Sequence, residues 1–136
     1  MRQHLLAILA YVVATFATQA VSHFGVNAAH YAAVTYLRAQ PLFALGILSM
    51  LIQGSIMAYL YAQLPGAGRS IGHAVCFAWL VGGILVSYEA LAEAGKYTVP
   101  ALGSWIAVEA AAGVVQFTLY GALLGWVHRA RVPQAA

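Results

Sequence analysis

Apolar positions fill four runs of helical length, and polar residues cluster at the joints between them. A hydrocarbon layer about 30 Å thick takes roughly 20 helical residues to cross. Runs at about residues 5–24, 41–64, 71–93 and 101–128 reach that length. Pro41 stands in the first-turn position that a helix tolerates. The links 65–70 (PGAGRS) and 95–100 (GKYTVP) carry turn chemistry. The interval 5–37 contains no Lys, Arg, Asp or Glu. As one helix it would run about 50 Å, longer than a bilayer is thick. A break is therefore expected near Gly25 and Asn27, followed by a short amphipathic interfacial segment at about 28–38. The pattern predicts an all-α, integral membrane four-helix bundle, a single domain over residues 1–136.

Composition narrows the class further. The 136 residues are 63% hydrophobic and only 7% charged, against about 25% charged in a soluble domain. Nine charged side chains cannot build a solvated surface, so the bilayer is the expected partner. The net charge of +3 is spread over scattered residues, which excludes nucleic acid as a partner. The basic residues mark segment ends. Arg2, Arg69, Arg129 and Arg131 fall on one side and Arg38 and Lys96 on the other. The positive-inside rule then places both termini in the cytoplasm of a multi-pass inner-membrane protein. The charged start before the first apolar run also fits a signal peptide ending near Ala20; a retained helix is the expectation. Cys76 is alone, so it forms no internal disulfide or CxxC site.

Two features bear on packing. Residues 54–64 (GSIMAYLYAQL) resemble residues 113–123 (GVVQFTLYGAL), and Val21-Ser22 matches Val86-Ser87, which suggests two related helical hairpins. Gly121 and Gly125 form a GxxxG motif, and Gly54 and Ala58 a small-xxx-small motif. Such faces let membrane helices approach closely, within one chain or between copies. Four helices enclose little space, so a homo-oligomer or docking onto a larger membrane complex is expected.

The informative chemistry is a carboxylate inside the fourth run. Glu109 is the only charge between Ala101 and His128. A charge at bilayer depth costs about 2.5–3.5 kcal/mol on insertion scales, so it is usually paired, protonated or functional. It lies about 12 Å below its helix end, and Gln53 about 18 Å from Pro41. Trp105, Glu109, Gln116 and Tyr120 share one helix face. On the first helix Gln19, His23, Asn27 and His30 form one polar stripe if the helix continues. Glu89 and Glu93 close the third helix, where acids are unfavourable and a partner such as Lys96 or a histidine is expected. Depth groups His23, Gln53, Glu89 and Glu109 in one layer, with His30 and Asn27 near it. His with Glu is also the ligand chemistry of zinc, iron or manganese, which makes His23, His30 and Glu109 a candidate metal set. No HExxH, GxSxG or nucleotide-binding glycine loop is present.

The segments Ser22-His23…His30-Tyr31 and Ala58-Tyr59-Leu60-Tyr61, with the glycine-rich start of the third helix, resemble those of small bacterial four-helix inner-membrane proteins of unknown function. That resemblance implies fold rather than activity. The leading expectation is a non-enzymatic membrane protein, oligomeric or an accessory subunit, whose His/Glu cluster binds a ligand, an ion or a partner's helix. The alternatives are a small proton-coupled transporter or channel using Glu109, and a metal-dependent membrane enzyme using His23, His30 and Glu109.

Overall fold

The computed structural model describes residues 1–38 and 40–129. Arg131, one of the orientation signals, lies outside the described residues. The described chain is helical, without strands, and four helices are long and apolar enough to cross a membrane: Arg2–Val26, Phe43–Gln63, Ile71–Lys96 and Leu102–Arg129. The first comprises α1 (Arg2–Val21) and a π-helical turn (Ser22–Val26), and α2 (Ala28–Ala32) comes next. Then come α3 (Phe43–Gln63), α4 (Ile71–Ser87), a second π-helical turn (Tyr88–Ala92), α5 (Glu93–Lys96) and α6 (Leu102–Arg129). The four long helices run up and down. The N terminus, the 64–70 turn and Arg129 share one end, the turn end. Residues 22–42 and 88–101 share the other, the loop end.

Local chemistry explains where the helices change. The Asn27 amide N donates to the Ser22 carbonyl at 2.9 Å, a five-residue step, and its side chain donates to Ser22 Oγ at 3.0 Å. The Ser–Asn pair thereby opens the last turn of the first span into π geometry. The second π turn begins just after Ser87, the serine matched to Ser22 in sequence. At the turn end Ser70 caps α4, its Oγ accepting from the His73 amide at 3.1 Å. Gly68 there has φ +84, and a Cβ on it would lie 2.8 Å from the His128 carbonyl oxygen. Glycine is needed on both counts.

Three helix pairs carry the packing: α4 with α6, α6 with α1, and α1 with α3. The α4–α6 seam is a stripe of close approaches four residues apart. Gly113 admits Val86, Phe117 packs over Gly82, Gly121 faces the backbone at Val75, and Gly125 faces Ile71. Thus the GxxxG face of α6 is consumed inside the chain. Gly54 of α3 takes the Tyr11 ring in the same way, and Ala58 is fully buried. The core comprises Tyr11, Met57, Tyr61, Phe77, Phe117, Tyr120 and Leu124 among small residues. Close backbone approach suits a bilayer, where dispersion rather than water exclusion holds helices together.

One expectation about the first connection is corrected. α3 starts at Phe43, not in the turn of Pro41, because Leu42 adopts φ −85, ψ 78, outside the helical region. The segment 28–38 lies beyond the first span and is amphipathic, with Tyr31 and Val34 buried among exposed neighbours. Only Ala28–Ala32 is helical, and Tyr31 and Val34 fold inward against Trp105, where Val99 and Ile106 also pack. It caps the loop end of the bundle.

The fourth seam, α3 against α4, is barely closed. Ring contacts of Tyr61 with His73 and Phe77 join the two helices near the turn. Every buried residue of α3 lies in its second half, from Gly54 onward. Its first half stands away from the bundle, and a Cβ placed on Gly46 meets no atom within 4 Å.

Candidate functional site

The open seam leads into a cleft of about 310 Å³ in the loop-end half of the bundle. α1 supplies Tyr11, Thr15, Gln19 and, through the first π turn, His23. These residues are four apart, so an α-helix stacks them on one face. α3 supplies Gly46, Ser49, Met50 and Gln53; α4 and the segments after it supply Leu85, Glu89 and Glu93. α6 closes the back with Trp105, Glu109, Gln116 and Phe117, and Tyr31 and Leu37 roof it from the cap.

Glu109 is 7% exposed and accepts a hydrogen bond from the Tyr31 hydroxyl at 2.8 Å. His23 stacks on that ring, with centroids 3.6 Å apart and planes 11° from parallel. Its Nδ1 lies 3.1 Å from the Gln19 carbonyl oxygen, which makes Nδ1 the donor and fixes the ring. Burial, despite nearby Ser22, pushes the Tyr31 hydroxyl well above the usual phenol range, so it stays a proton donor. Tyr31→Phe removes that donor and leaves a buried carboxyl oxygen unserved. We expect it to cost about 1–3 kcal/mol of stability. The check is a melting curve in dodecyl maltoside; an unshifted Tm would mean that this bond does not hold the cap.

Two more polar ties brace the walls. Gln19 Nε2 donates to Gln116 Oε1 at 3.0 Å, joining α1 to α6. The Tyr11 hydroxyl donates to Gln53 Oε1, joining α1 to α3, and Gln53 Nε2 donates to Ser49 Oγ at 3.1 Å. One group is left over. Thr15 Oγ1 is buried in a residue only 7% exposed; its polar neighbour is the Tyr11 hydroxyl, and no well-aligned hydrogen bond joins the two. It belongs to the cleft lining.

The charge distribution is one-sided. The chain has three acidic residues, Glu89, Glu93 and Glu109, and all of them line this cleft. Among the described residues no Arg or Lys does. Lys96, the cation expected beside Glu89 and Glu93, lies within electrostatic range of Glu93 and 5.8 Å from the Tyr97 ring.

Of the residues singled out in the sequence, His23, Gln53, Glu89 and Glu109 share the cleft, and Asn27 and His30 do not. The π turn explains the split: one extra residue per turn rotates the later residues by about 100°. Asn27 is spent on Ser22. His30 Nδ1 lies 3.3 Å from Ser104 Oγ, and its ring meets the edge of Tyr31. Tyr31 therefore stands between the two histidines, and His23, His30 and Glu109 do not converge as a ligand set. Among the described residues no three His, Cys, Asp or Glu side chains are grouped to hold a metal ion. Tyr11, Thr15 and Tyr31 enter the site with no motif to mark them. The four-residue spacing from Tyr11 to His23 is the one available signal for the first two. Comparison with protein-family models, curated proteins and solved structures returned no match.

Proposed function

We propose that this chain is a non-enzymatic integral protein of the cell inner membrane that binds a cation in the acid-lined cleft. The observation that carries the reading is the gathering of every acidic residue of the chain around one cavity that no described Arg or Lys enters. In a low-dielectric wall such a cavity focuses negative potential, and Glu109, the one buried acid of the three, is the kind of charge that a membrane helix keeps for function. Thr15 Oγ1, which makes no well-aligned hydrogen bond, adds a polar oxygen to the wall.

The arrangement of basic residues supports an orientation. Arg2, Arg69 and Arg129 lie at the turn end, and Arg38 and Lys96 at the loop end, so the turn end faces the cytoplasm and the cleft the opposite leaflet. The π turns at the matched serines, one starting at Ser22 and the other directly after Ser87, support a fold of two related hairpins.

Calorimetric titration of the detergent-solubilised protein with tetraethylammonium should give one saturable site per chain. Thr15→Val keeps the shape and removes the hydroxyl. It should weaken binding several-fold while the empty protein melts no lower than wild type, because burying a hydroxyl without a well-aligned hydrogen bond is itself a cost. Absence of saturable heat in the wild type contradicts the proposal.

A further inference from the structure

We infer that the cation is an organic ammonium carrying apolar substituents, and that it reaches the cleft sideways, from the bilayer, through the seam between α3 and α4. The inference rests on the cation reading and adds the ligand's other half. Three observations carry it.

The first is the composition of the wall. Beside the acids stand four aromatic rings, Tyr11, Tyr31, Trp105 and Phe117, and three aliphatic or thioether side chains, Leu37, Met50 and Leu85. Ring faces attract an ammonium whose charge is shielded by alkyl groups, and apolar side chains receive those groups. Inorganic divalent ions ask instead for several converging oxygen or nitrogen ligands, and no such group exists among the described residues.

The second is the opening. The first half of α3 buries nothing, and Phe43, Leu45, Leu48 and Ile52 on it are exposed. In a bilayer these residues meet acyl chains, so the gap beside Gly46 opens to lipid rather than to water. A solute that takes this path must be soluble in the acyl region, which a bare hydrated ion is not. The third is capacity. About 310 Å³ accommodates a compact ammonium with short alkyl arms. A phospholipid headgroup would carry its own phosphate into a cavity lined by three acids and no described Arg or Lys, so a free amine is the favoured source.

Gly46 offers the test, because a side chain there meets no atom within 4 Å and projects into unfilled space. Tetramethylammonium and tetraethylammonium are titrated into the full chain in dodecyl maltoside, with Glu109→Gln as the blank for partition into micelles. In wild type, tetraethylammonium should bind at least tenfold tighter than tetramethylammonium. Gly46→Trp, which plugs the seam, should slow tetraethylammonium association at least tenfold in stopped-flow mixing; Gly46→Leu replaces it if the tryptophan variant does not fold. Equal affinity for the two cations in wild type overturns the inference and leaves the cation site standing. So does an association rate indifferent to the plug. Displacement of tetraethylammonium by added phosphatidylcholine overturns the free amine in favour of a lipid headgroup. If neither cation binds, the underlying cation reading fails too.

Discussion

Gly121→Leu should collapse the α4–α6 seam and lower stability by about 3 kcal/mol or more, at the upper end of overpacking costs. A Cβ on Gly121 would lie 2.5 Å from Val75 Cα and 3.1 Å from the Ala74 carbonyl oxygen. Both obstacles are backbone, so no side-chain rotation relieves them. The helices must separate, and the close contacts at Gly113 and Gly125 go with them. Without a hydrophobic drive between helices in lipid, lost dispersion contact is not recovered elsewhere. Gly83→Leu is the control. Gly83 lies on α4, and a Cβ there meets nothing within 4 Å. That variant should melt at or above wild type, since glycine inside a helix costs up to about 1 kcal/mol relative to better helix formers. Circular-dichroism melts in detergent make the comparison. Equal Tm values for the two variants would refute the seam as the principal contact of the bundle.

The second large effect is on binding. Glu109→Gln should reduce cation affinity at least tenfold, about 1.4 kcal/mol or more, while leaving the fold intact. The substitution separates charge from shape. A glutamine oxygen still accepts from the Tyr31 hydroxyl, now 2.8 Å from Glu109 Oε1, so the cap stays in place. The deepest of the three charges in the cleft disappears. Charge-assisted contacts are roughly twice as strong as neutral ones, and a site shielded from water increases that gap. Glu93→Gln should do less. Glu93 opens the short helix α5 and is only partly buried, so water screens its contribution more strongly. An affinity that falls equally in both variants would locate the ligand at the mouth of the cleft, not against Glu109.

The four spans were legible because length and apolar content alone define a membrane helix. Glu109 stood out for the complementary reason, as a charge that hydrocarbon cannot solvate. Its proton donor did not stand out. Tyr31 sits in a short connecting helix, where a tyrosine carries no signature, and only the fold of the cap brings it to Glu109. The stripe from Gln19 to His30 assumes an uninterrupted α-helical period. The π turn set by Ser22 and Asn27 breaks that period and sends His30 to Ser104. The GxxxG motif of α6 was legible as a packing face, but sequence does not say which helix packs there. An internal partner and a second copy ask for the same small residues. Nor was the open α3–α4 seam visible, since α3 is as apolar as its neighbours and differs only in how little of it is covered.

Trp105 provides the most direct test of cation binding in the cleft. It lines the cavity, whereas Trp79 and Trp126 are exposed elsewhere on the bundle. With Trp79→Phe and Trp126→Phe in place, Trp105 is the sole indole reporter. Titration with tetraethylammonium should produce a saturable change in Trp105 emission, and Glu109→Gln in the same background should abolish it over the same concentration range. A spectrum that never responds, or a response that survives the loss of the Glu109 charge unchanged, would contradict a cation site at Glu109.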